Sequence, residues 1–280
     1  MTLGLYPGCS LKGSSREYTE SVLAVTKACG IELIEIEDWN CCGATAAHNL
    51  NKELSLALPA RILSLAEEQG LTEIVVPCAA CYGRLTVTKH EIAEHPELKE
   101  SITKANGLKY EGNVGILNII QMIDKYITPN LEGRIIKPFE HKVACYYGCL
   151  LVRPHGILQF DREEDPQSMD ELMLKSGATP IDWAFKTECC GAGLSVSRTS
   201  SVGRLSGEIM KDAVDRGAEA IIVACPMCHS NLDMRRGAIN DYLGKEIDVP
   251  VLYATQVLGL ALGIDRKTLG LQRHFVAVNI

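Results

Sequence analysis

Ten of the twelve cysteines form two sets of five with nearly the same spacing. The first set runs C-x31-CC-x35-CxxC and consists of Cys9, Cys41, Cys42, Cys78 and Cys81. The second set runs C-x39-CC-x34-CxxC and consists of Cys149, Cys189, Cys190, Cys225 and Cys228. In both sets Gly-Ala follows the adjacent pair. A repeat of this length indicates two copies of one domain.

Five thiols in one place favour an iron–sulfur cluster over a structural zinc ion. Zinc closes its coordination at four ligands, which would leave one thiol of each set idle. An iron–sulfur cluster also takes four cysteines as a rule. The fifth thiol therefore indicates either a bridging thiolate or a redox-active cysteine beside the cluster. Cys29 and Cys145 lie outside the repeat and are predicted to be small core residues.

Composition predicts a cytoplasmic protein with room for two domains. The chain has 280 residues and a formal net charge of −7 with mixed signs, so a nucleic-acid surface is not expected. No apolar run approaches the ~20 residues that span a bilayer, and no signal-peptide pattern precedes the first strand. In a reducing compartment, clustered cysteines more often hold metal than form disulfides.

Alternating strand and helix patterns predict an α/β fold in two tandem duplicated domains. We expect each domain to be a small, mainly parallel sheet flanked by helices, with residues 1–133 as the first domain and 134–280 as the second. In each half, the three cysteine groups follow the first, second and third predicted strands. Since the carboxyl ends of parallel strands meet at one sheet edge, the cluster-binding loops should converge there.

Two prolines carry predictions about individual helices. Pro59 lies inside a helical pattern that ends at Gly70, and it should kink that helix or split it in two. Pro166 is predicted to be the first residue of a helix that Gly177 closes.

The cysteine pattern resembles the cysteine-rich CCG-domain family, and within it the B subunits of heterodisulfide reductases. The resemblance covers the whole chain and includes four segments besides the isolated cysteines. They are Tyr147-Gly148-Cys149-Leu150-Leu151-Val152-Arg153-Pro154, Met169-Asp170-Glu171-Leu172, Thr187-Glu188-Cys189-Cys190-Gly191-Ala192 and Ala224-Cys225-Pro226-Met227-Cys228 with the following Ser230-Asn231-Leu232-Asp233. His155 stands where that family is expected to have proline, which is a small departure.

The resemblance implies that each set binds one noncubane 4Fe–4S cluster, with one of its five cysteines bridging. It also implies that the chain reduces the mixed disulfide of coenzyme M and coenzyme B to two thiols. The electrons would come from a ferredoxin-like iron–sulfur subunit, which a flavin-containing subunit supplies, with a hydrogenase or formate dehydrogenase as a further partner. The alternative is a CCG-type subunit of a bacterial redox complex that acts on another disulfide or relays electrons. A zinc-stabilised interaction module is a third hypothesis.

The duplication suits the chemistry of a disulfide. Cleavage into two thiols takes two electrons, whereas an iron–sulfur cluster normally passes one at a time. Two clusters that face one substrate could each supply one electron, so we expect the two sets to line a shared cleft.

Cationic side chains should line the entry, because the family's disulfide carries a sulfonate and a phosphate. The candidates are Arg153, His155, Arg198, Lys12 and Arg84. Arg153 is preferred because it lies close to a cysteine in one of the resembling segments.

We predict about eight iron atoms per chain, four for each set. Metal analysis and visible absorption of anaerobically purified protein measure this number directly. A brown protein is expected, whereas a colourless protein that contains mostly zinc would contradict the assignment.

Overall fold

The computed structural model describes residues 1–44 and 47–280, and in this part of the chain eight strands form two sheets. The first sheet contains β1 (Thr2–Leu5), β2 (Glu32–Glu35), β3 (Glu73–Val75) and β4 (Gly115–Leu117). The second sheet contains β5 (Lys142–Tyr146), β6 (Thr179–Pro180), β7 (Ala220–Val223) and β8 (Val251–Tyr253). We call the parts of the chain that build these sheets the first and second halves.

Both sheets are entirely parallel and have the same strand order. The order is β2-β1-β3-β4 in the first half and β6-β5-β7-β8 in the second. The predicted duplication of a small α/β unit is therefore confirmed. In each sheet the chain reverses its winding direction between the two central strands, and this switch point opens a crevice at the carboxyl ends of the strands.

Helices connect the strands in both halves. The first half contains α1 (Gly8–Lys12), α2 (Arg16–Ala28), α3 (Ala47–Leu50), α4 (Lys52–Glu68), α5 (Ala79–Glu94), α6 (Glu97–Asn106) and α7 (Ile119–Tyr126). The second half contains α8 (His155–Leu158), α9 (Ser168–Lys175), α10 (Thr199–Asp215), α11 (Pro226–His229), α12 (Arg236–Leu243) and α13 (Ala254–Ala261). None of the helices in the described ranges is long and apolar enough to cross a membrane.

The two halves share one continuous apolar core, and their contacts are reciprocal. The last helix of the second half, α13, packs against α2 of the first, and α7 of the first packs against α9 of the second. The buried hydroxyl groups of Ser21 on α2 and Thr255 on α13 form a hydrogen bond, with their oxygens 2.7 Å apart. Such exchange of equivalent surfaces is the pattern that a two-fold axis produces.

Of the two outcomes predicted for Pro59, the split into two helices is wrong, because α4 continues through this residue. A proline cannot donate to the carbonyl four residues earlier, which here belongs to Ser55. The Arg84 guanidinium on α5 donates to that Ser55 oxygen at 2.8 Å instead. A neighbouring helix thus satisfies the acceptor that the proline leaves without a partner.

The predicted start of α9 at Pro166 is also wrong, since the helix begins at Ser168. The carboxylate of Asp161 accepts hydrogen bonds from the backbone N–H groups of Gln167 and Ser168, at 2.9 and 2.8 Å. A carboxylate at a helix N-terminus satisfies free N–H groups and interacts favourably with the helix dipole.

Gly203→Ala should lower the free energy of unfolding by about 1–3 kcal/mol. The added methyl carbon would lie 2.4 Å from the Ala238 carbonyl oxygen, so α10 and α12 would have to separate. Gly237→Ala is the control, because its methyl meets no atom within 4 Å. This control should stabilise α12 by about 0.5–1 kcal/mol. Chemical denaturation measures both, and equal effects would contradict the packing described.

Candidate functional site

All three cysteine groups of each half lie just beyond the carboxyl ends of three strands. Cys9 follows β1, Cys41 and Cys42 follow β2, and Cys78 and Cys81 follow β3. The second set follows β5, β6 and β7 in the same way. The strands that precede the single cysteine and the CxxC motif are the two central ones, so both groups flank the crevice at the switch point.

The structure brings the thiols of the first set together around Tyr6. The Sγ atoms of Cys42 and Cys81 are 3.2 Å apart, and none of the twelve cysteines forms a disulfide. Burial, reinforced by the nearby thiols of Cys81, Cys42, Cys41 and Cys9, raises the pKa of the Tyr6 hydroxyl far above its ordinary value. One aromatic side chain therefore lies within electrostatic range of four of the five thiols.

The second set repeats this arrangement around Tyr146. Here the Sγ atoms of Cys190 and Cys228 are 3.9 Å apart. The Tyr146 hydroxyl donates to the Glu188 carbonyl at 2.6 Å, as the Tyr6 hydroxyl donates to the Asn40 carbonyl at 2.9 Å. Each acceptor directly precedes an adjacent cysteine pair. The tyrosine at the end of the first strand in each half thus holds the loop that carries this pair.

Glycine is required before the single cysteine of each set. Gly8 and Gly148 have φ values of +63° and +69°, which side chains with a Cβ rarely adopt. A Cβ at Gly8 would lie 3.2 Å from the Cys81 sulfur, and one at Gly148 only 2.9 Å from the Cys228 sulfur. Backbone and sulfur approach each other closely at both turns.

Each set is buried on one side and open on the other. The interior cysteines are Cys42, Cys78, Cys81, Cys190, Cys225 and Cys228. The outer ones are Cys9, Cys41 and Cys189, which are exposed, and Cys149, which is half-buried. A group bound by either set would be anchored in the core and would keep one edge accessible from solvent.

The two sets meet at their CxxC motifs. The Tyr18 hydroxyl oxygen lies 3.3 Å from the Pro77 carbonyl oxygen and 3.1 Å from the Ala224 carbonyl oxygen, so the loops that carry the two motifs converge. Cys78 and Cys225 directly follow these carbonyls, and each thiol shifts the pKa of the other.

Around these loops, α1 packs against α11, and α5 packs against α8. The short helix that contains Cys9 and the one that follows Cys149 therefore each lie beside the CxxC helix of the other half. Both sets belong to one bipartite site.

The thiols within each set share protons unequally. Hydrogen bonds from Cys41 and Cys81 lower the pKa of the Cys42 thiol to about 3, and the same hydrogen bonds raise the pKa of both neighbours. A hydrogen bond from Cys149 lowers the pKa of Cys189 to about 6 and raises the pKa of Cys149 itself. Because thiolate is the form that binds metal, a metal ion or cluster would displace the remaining protons.

A buried ion pair supports the second set. The Lys186 ammonium lies 3.1 Å from the Asp170 carboxylate on α9, and Tyr147 donates to the same carboxylate at 2.7 Å. The Lys186 carbonyl in turn accepts from the backbone N–H groups of Tyr147 and Gly148, at 2.9 and 3.0 Å. This network ties the turn before Cys149 to the loop before Cys189.

Most candidate anion-binding side chains already have partners. Lys12 pairs with Glu35 at 2.5 Å, and Arg153 donates to both oxygens of Glu164 at 2.9 and 3.0 Å. Arg84 is occupied by the Ser55 carbonyl.

The other two candidates are less constrained. His155 is half-buried, and its Nδ1 atom has no hydrogen-bond partner among the described residues. Arg198 is exposed at the start of α10, and no ion pair involving it occurs in residues 1–44 and 47–280.

The two cysteines outside the repeat are placed differently from the ten. Cys145 lies in β5 and is fully buried, and burial raises the pKa of its thiol. Its carbonyl accepts from the Trp183 indole at 3.1 Å. Cys29 is half-buried at the end of α2, far along the helix from the site.

Sequence reasoning assigns no role to two residues that contact the site. Asn231 donates to the Cys190 carbonyl at 3.1 Å and lies 3.6 Å from the Cys190 sulfur. In the sequence it stands out only as part of a resembling segment. Tyr18 lies on α2, and its hydroxyl reaches the backbone beside both CxxC motifs. No local pattern distinguishes such a tyrosine from a core residue.

Three polar side chains form a cluster next to the CxxC motif of the second set. His229, Asp233 and His274 bring their ligand atoms within 4.8 Å of one another, a spacing that could hold a metal ion. Asp233 accepts from the backbone N–H groups of Phe275 and Val276, and His229 contacts the Val251 carbonyl. These bonds fasten the C-terminal segment to the second half.

Comparison with known proteins gives three findings. Residues 3–86 and 143–233 match the family described as CCG, Cysteine-rich domain. The chain is 30% identical over 274 residues to the 8-methylmenaquinol:fumarate reductase membrane anchor subunit of Wolinella succinogenes, covering 97% of this chain and 95% of that protein. It is 31% identical over 281 residues to one of the B subunits of CoB-CoM heterodisulfide reductases, that of the Ferredoxin/F(420)H(2)-dependent enzyme of Methanosarcina acetivorans, covering 98% and 93%.

A solved structure shares the fold. The crystal structure of a hypothetical protein from Helicobacter pylori matches with a TM-score of 0.82 at 17% identity, covering 99% of this chain and 52% of that one. At this identity the match concerns the fold alone.

Cys145→Ala should leave the iron content unchanged and destabilise the core by roughly 1 kcal/mol. Cys149→Ala, four residues later, should remove about half of the iron, because Cys149 belongs to the second set and Cys145 does not. Iron analysis of the two purified variants compares them directly. Loss of iron from Cys145→Ala would mean that the ligand set is misassigned.

Proposed function

Because the chain belongs to the cysteine-rich CCG-domain family, and because its relatives include B subunits of heterodisulfide reductases, we propose that it is a catalytic iron–sulfur subunit that reduces a disulfide to two thiols. The coenzyme M–coenzyme B heterodisulfide is the proposed substrate. Two noncubane 4Fe–4S clusters are the proposed cofactors, one in each cysteine set.

The donor set fits such clusters. Each half offers five thiols, three of them buried, with no disulfide to compete for them. Zinc would use four and leave one thiolate in a crowded, partly buried group without a metal. A cluster that uses five thiolates accounts for every cysteine of the repeat, although an ordinary cluster takes four.

The observation that carries the proposal is the packing of the two halves at their CxxC motifs, where α1 lies against α11 and α5 lies against α8. It brings two five-thiol sets to one place, with their outer cysteines at the surface. When bound, the two clusters would supply the two electrons that cleavage of a disulfide requires. The chain would hold the substrate between the exposed edges of both sets.

The chain's own side chains would recognise the substrate and supply protons. We propose that Arg198, at the start of α10, binds an anionic group at the entry to the second set. Arg153 would act there only if Glu164 releases it. His155 would donate a proton to a departing thiolate, since its Nδ1 atom has no protein partner among the described residues.

Electrons would reach the chain from other proteins of the same complex. The proposed partners are a ferredoxin-like iron–sulfur subunit and a flavin-containing subunit, with a hydrogenase or formate dehydrogenase upstream. The relative from Methanosarcina acetivorans is itself named as one subunit of a reductase, which supports an assembly of this kind.

A second candidate function has its own support. The relative from Wolinella succinogenes is named as a subunit of a methylmenaquinol:fumarate reductase and is as similar to this chain as the relative from the heterodisulfide reductase. On this hypothesis the chain relays electrons in a bacterial complex or acts on another disulfide. The cysteine sets would be the same.

Ser substitution at Cys42 or at Cys190 should abolish disulfide reduction rather than halve it, because one set can deliver only one of the two electrons. Both variants are assayed with a chemical electron donor and the coenzyme M–coenzyme B disulfide. Cys29→Ser is the matched control and should retain full activity.

Spectroscopy then separates reduction from relay. When wild-type protein is mixed with the disulfide, the paramagnetic signals of both clusters should change. A change in only one signal would favour a relay role for the other set. No change in either signal, with activity absent, would refute disulfide reduction.

A further inference from the structure

One buried tyrosine contacts the backbone of both halves beside their CxxC motifs. Tyr18 lies on α2 and has no exposed surface. Its hydroxyl oxygen is 3.3 Å from the Pro77 carbonyl oxygen and 3.1 Å from the Ala224 carbonyl oxygen. Pro77 directly precedes Cys78, and Ala224 directly precedes Cys225.

The hydroxyl has one proton and two possible acceptors. Because its oxygen is within hydrogen-bond distance of both carbonyl groups, it links the two loops. Both carbonyls follow the ends of central strands, β3 and β7, at the sheet edge where the cysteines gather. A buried carbonyl without a partner is unfavourable, so this hydroxyl favours the arrangement in which both loops approach it.

Packing holds the ring in place independently of the hydroxyl. The Tyr18 ring stacks on the Tyr253 ring with centroids 3.9 Å apart and an angle of 4° between the planes. Tyr253 comes from the second half, and its own hydroxyl lies 3.3 Å from the Glu17 carboxylate. The pair therefore contains two buried hydroxyls, of which only one contacts the cysteine loops.

The helix α9, which is the counterpart of α2, carries no equivalent tyrosine, since its buried residues are Met169, Asp170, Leu172 and Met173. One side chain thus contacts both halves, at the residues that directly precede Cys78 and Cys225.

We propose that Tyr18 is a positioning residue that holds the two cysteine sets at a fixed separation through one hydroxyl shared by Pro77 and Ala224. The consequence for bound clusters rests on the proposed function. If both sets hold clusters, Tyr18 determines how strongly the two clusters interact, because electron exchange and spin coupling both fall steeply with distance.

Tyr18→Phe removes the hydroxyl and keeps the ring, and Tyr253→Phe is the matched control with the other hydroxyl of the stack removed. Amide hydrogen exchange of the full chain, as purified under anaerobic conditions, follows residues 75–82 and 222–229. Tyr18→Phe should accelerate exchange in both segments together, by about tenfold, the effect of one lost buried hydrogen bond. Tyr253→Phe should leave both unchanged.

Acceleration in one segment only, or equal effects of the two variants, would overturn the proposal. If Tyr18→Phe does not fold, 3-fluorotyrosine at position 18 provides the second variant. It keeps the hydroxyl and makes it a stronger donor, so exchange in both segments should slow. Unchanged exchange with this variant would also overturn the proposal.

A second measurement uses the iron-loaded protein. Tyr18→Phe should retain the wild-type iron content but show weaker magnetic interaction between the two reduced clusters in electron paramagnetic resonance. An unchanged magnetic interaction in Tyr18→Phe would overturn the proposed effect of Tyr18 on the two clusters. A wild-type protein without iron would refute the proposed function instead, and hydrogen exchange would still decide whether Tyr18 links the halves.

Discussion

The site of this protein depends on the convergence of its two CxxC loops, which meet at the Tyr18 hydroxyl. Each sheet alone offers an ordinary crevice at its switch point, lined by five cysteines. The convergence joins these two crevices into one site. The surrounding structure serves this convergence, since α2 packs on α13, α7 packs on α9, and Tyr18 joins the two loops.

The two halves have the same geometry around their cysteine sets but differ in the ion pairs that lie near them. Tyr6 and Tyr146 occupy equivalent places, as do the glycines before the single cysteines. The second set, however, is supported by the buried Asp170–Lys186 pair, whereas the Lys12–Glu35 pair of the first half is exposed. Breaking a buried pair costs far more than breaking an exposed one.

The errors in the sequence-based predictions share one cause. Pro59 is expected to interrupt its helix, but Arg84 from another helix supplies the missing donor. Pro166 is expected to begin a helix, but the Asp161 carboxylate caps the chain two residues later. In both cases a side chain outside the helix concerned overrides the local rule.

The sequence by itself determined the duplication, the parallel α/β class and the placement of all three cysteine groups at one sheet edge. These follow from strand order, because parallel strands must end on the same side. Only the tertiary structure decided how the two edges meet, with the Tyr18 hydroxyl bonding to both of the loops that carry Cys78 and Cys225. Spacing within one half constrains that half alone. The relation between halves depends on the packing of helix faces, whose apolar residues look the same in sequence whichever surface they cover.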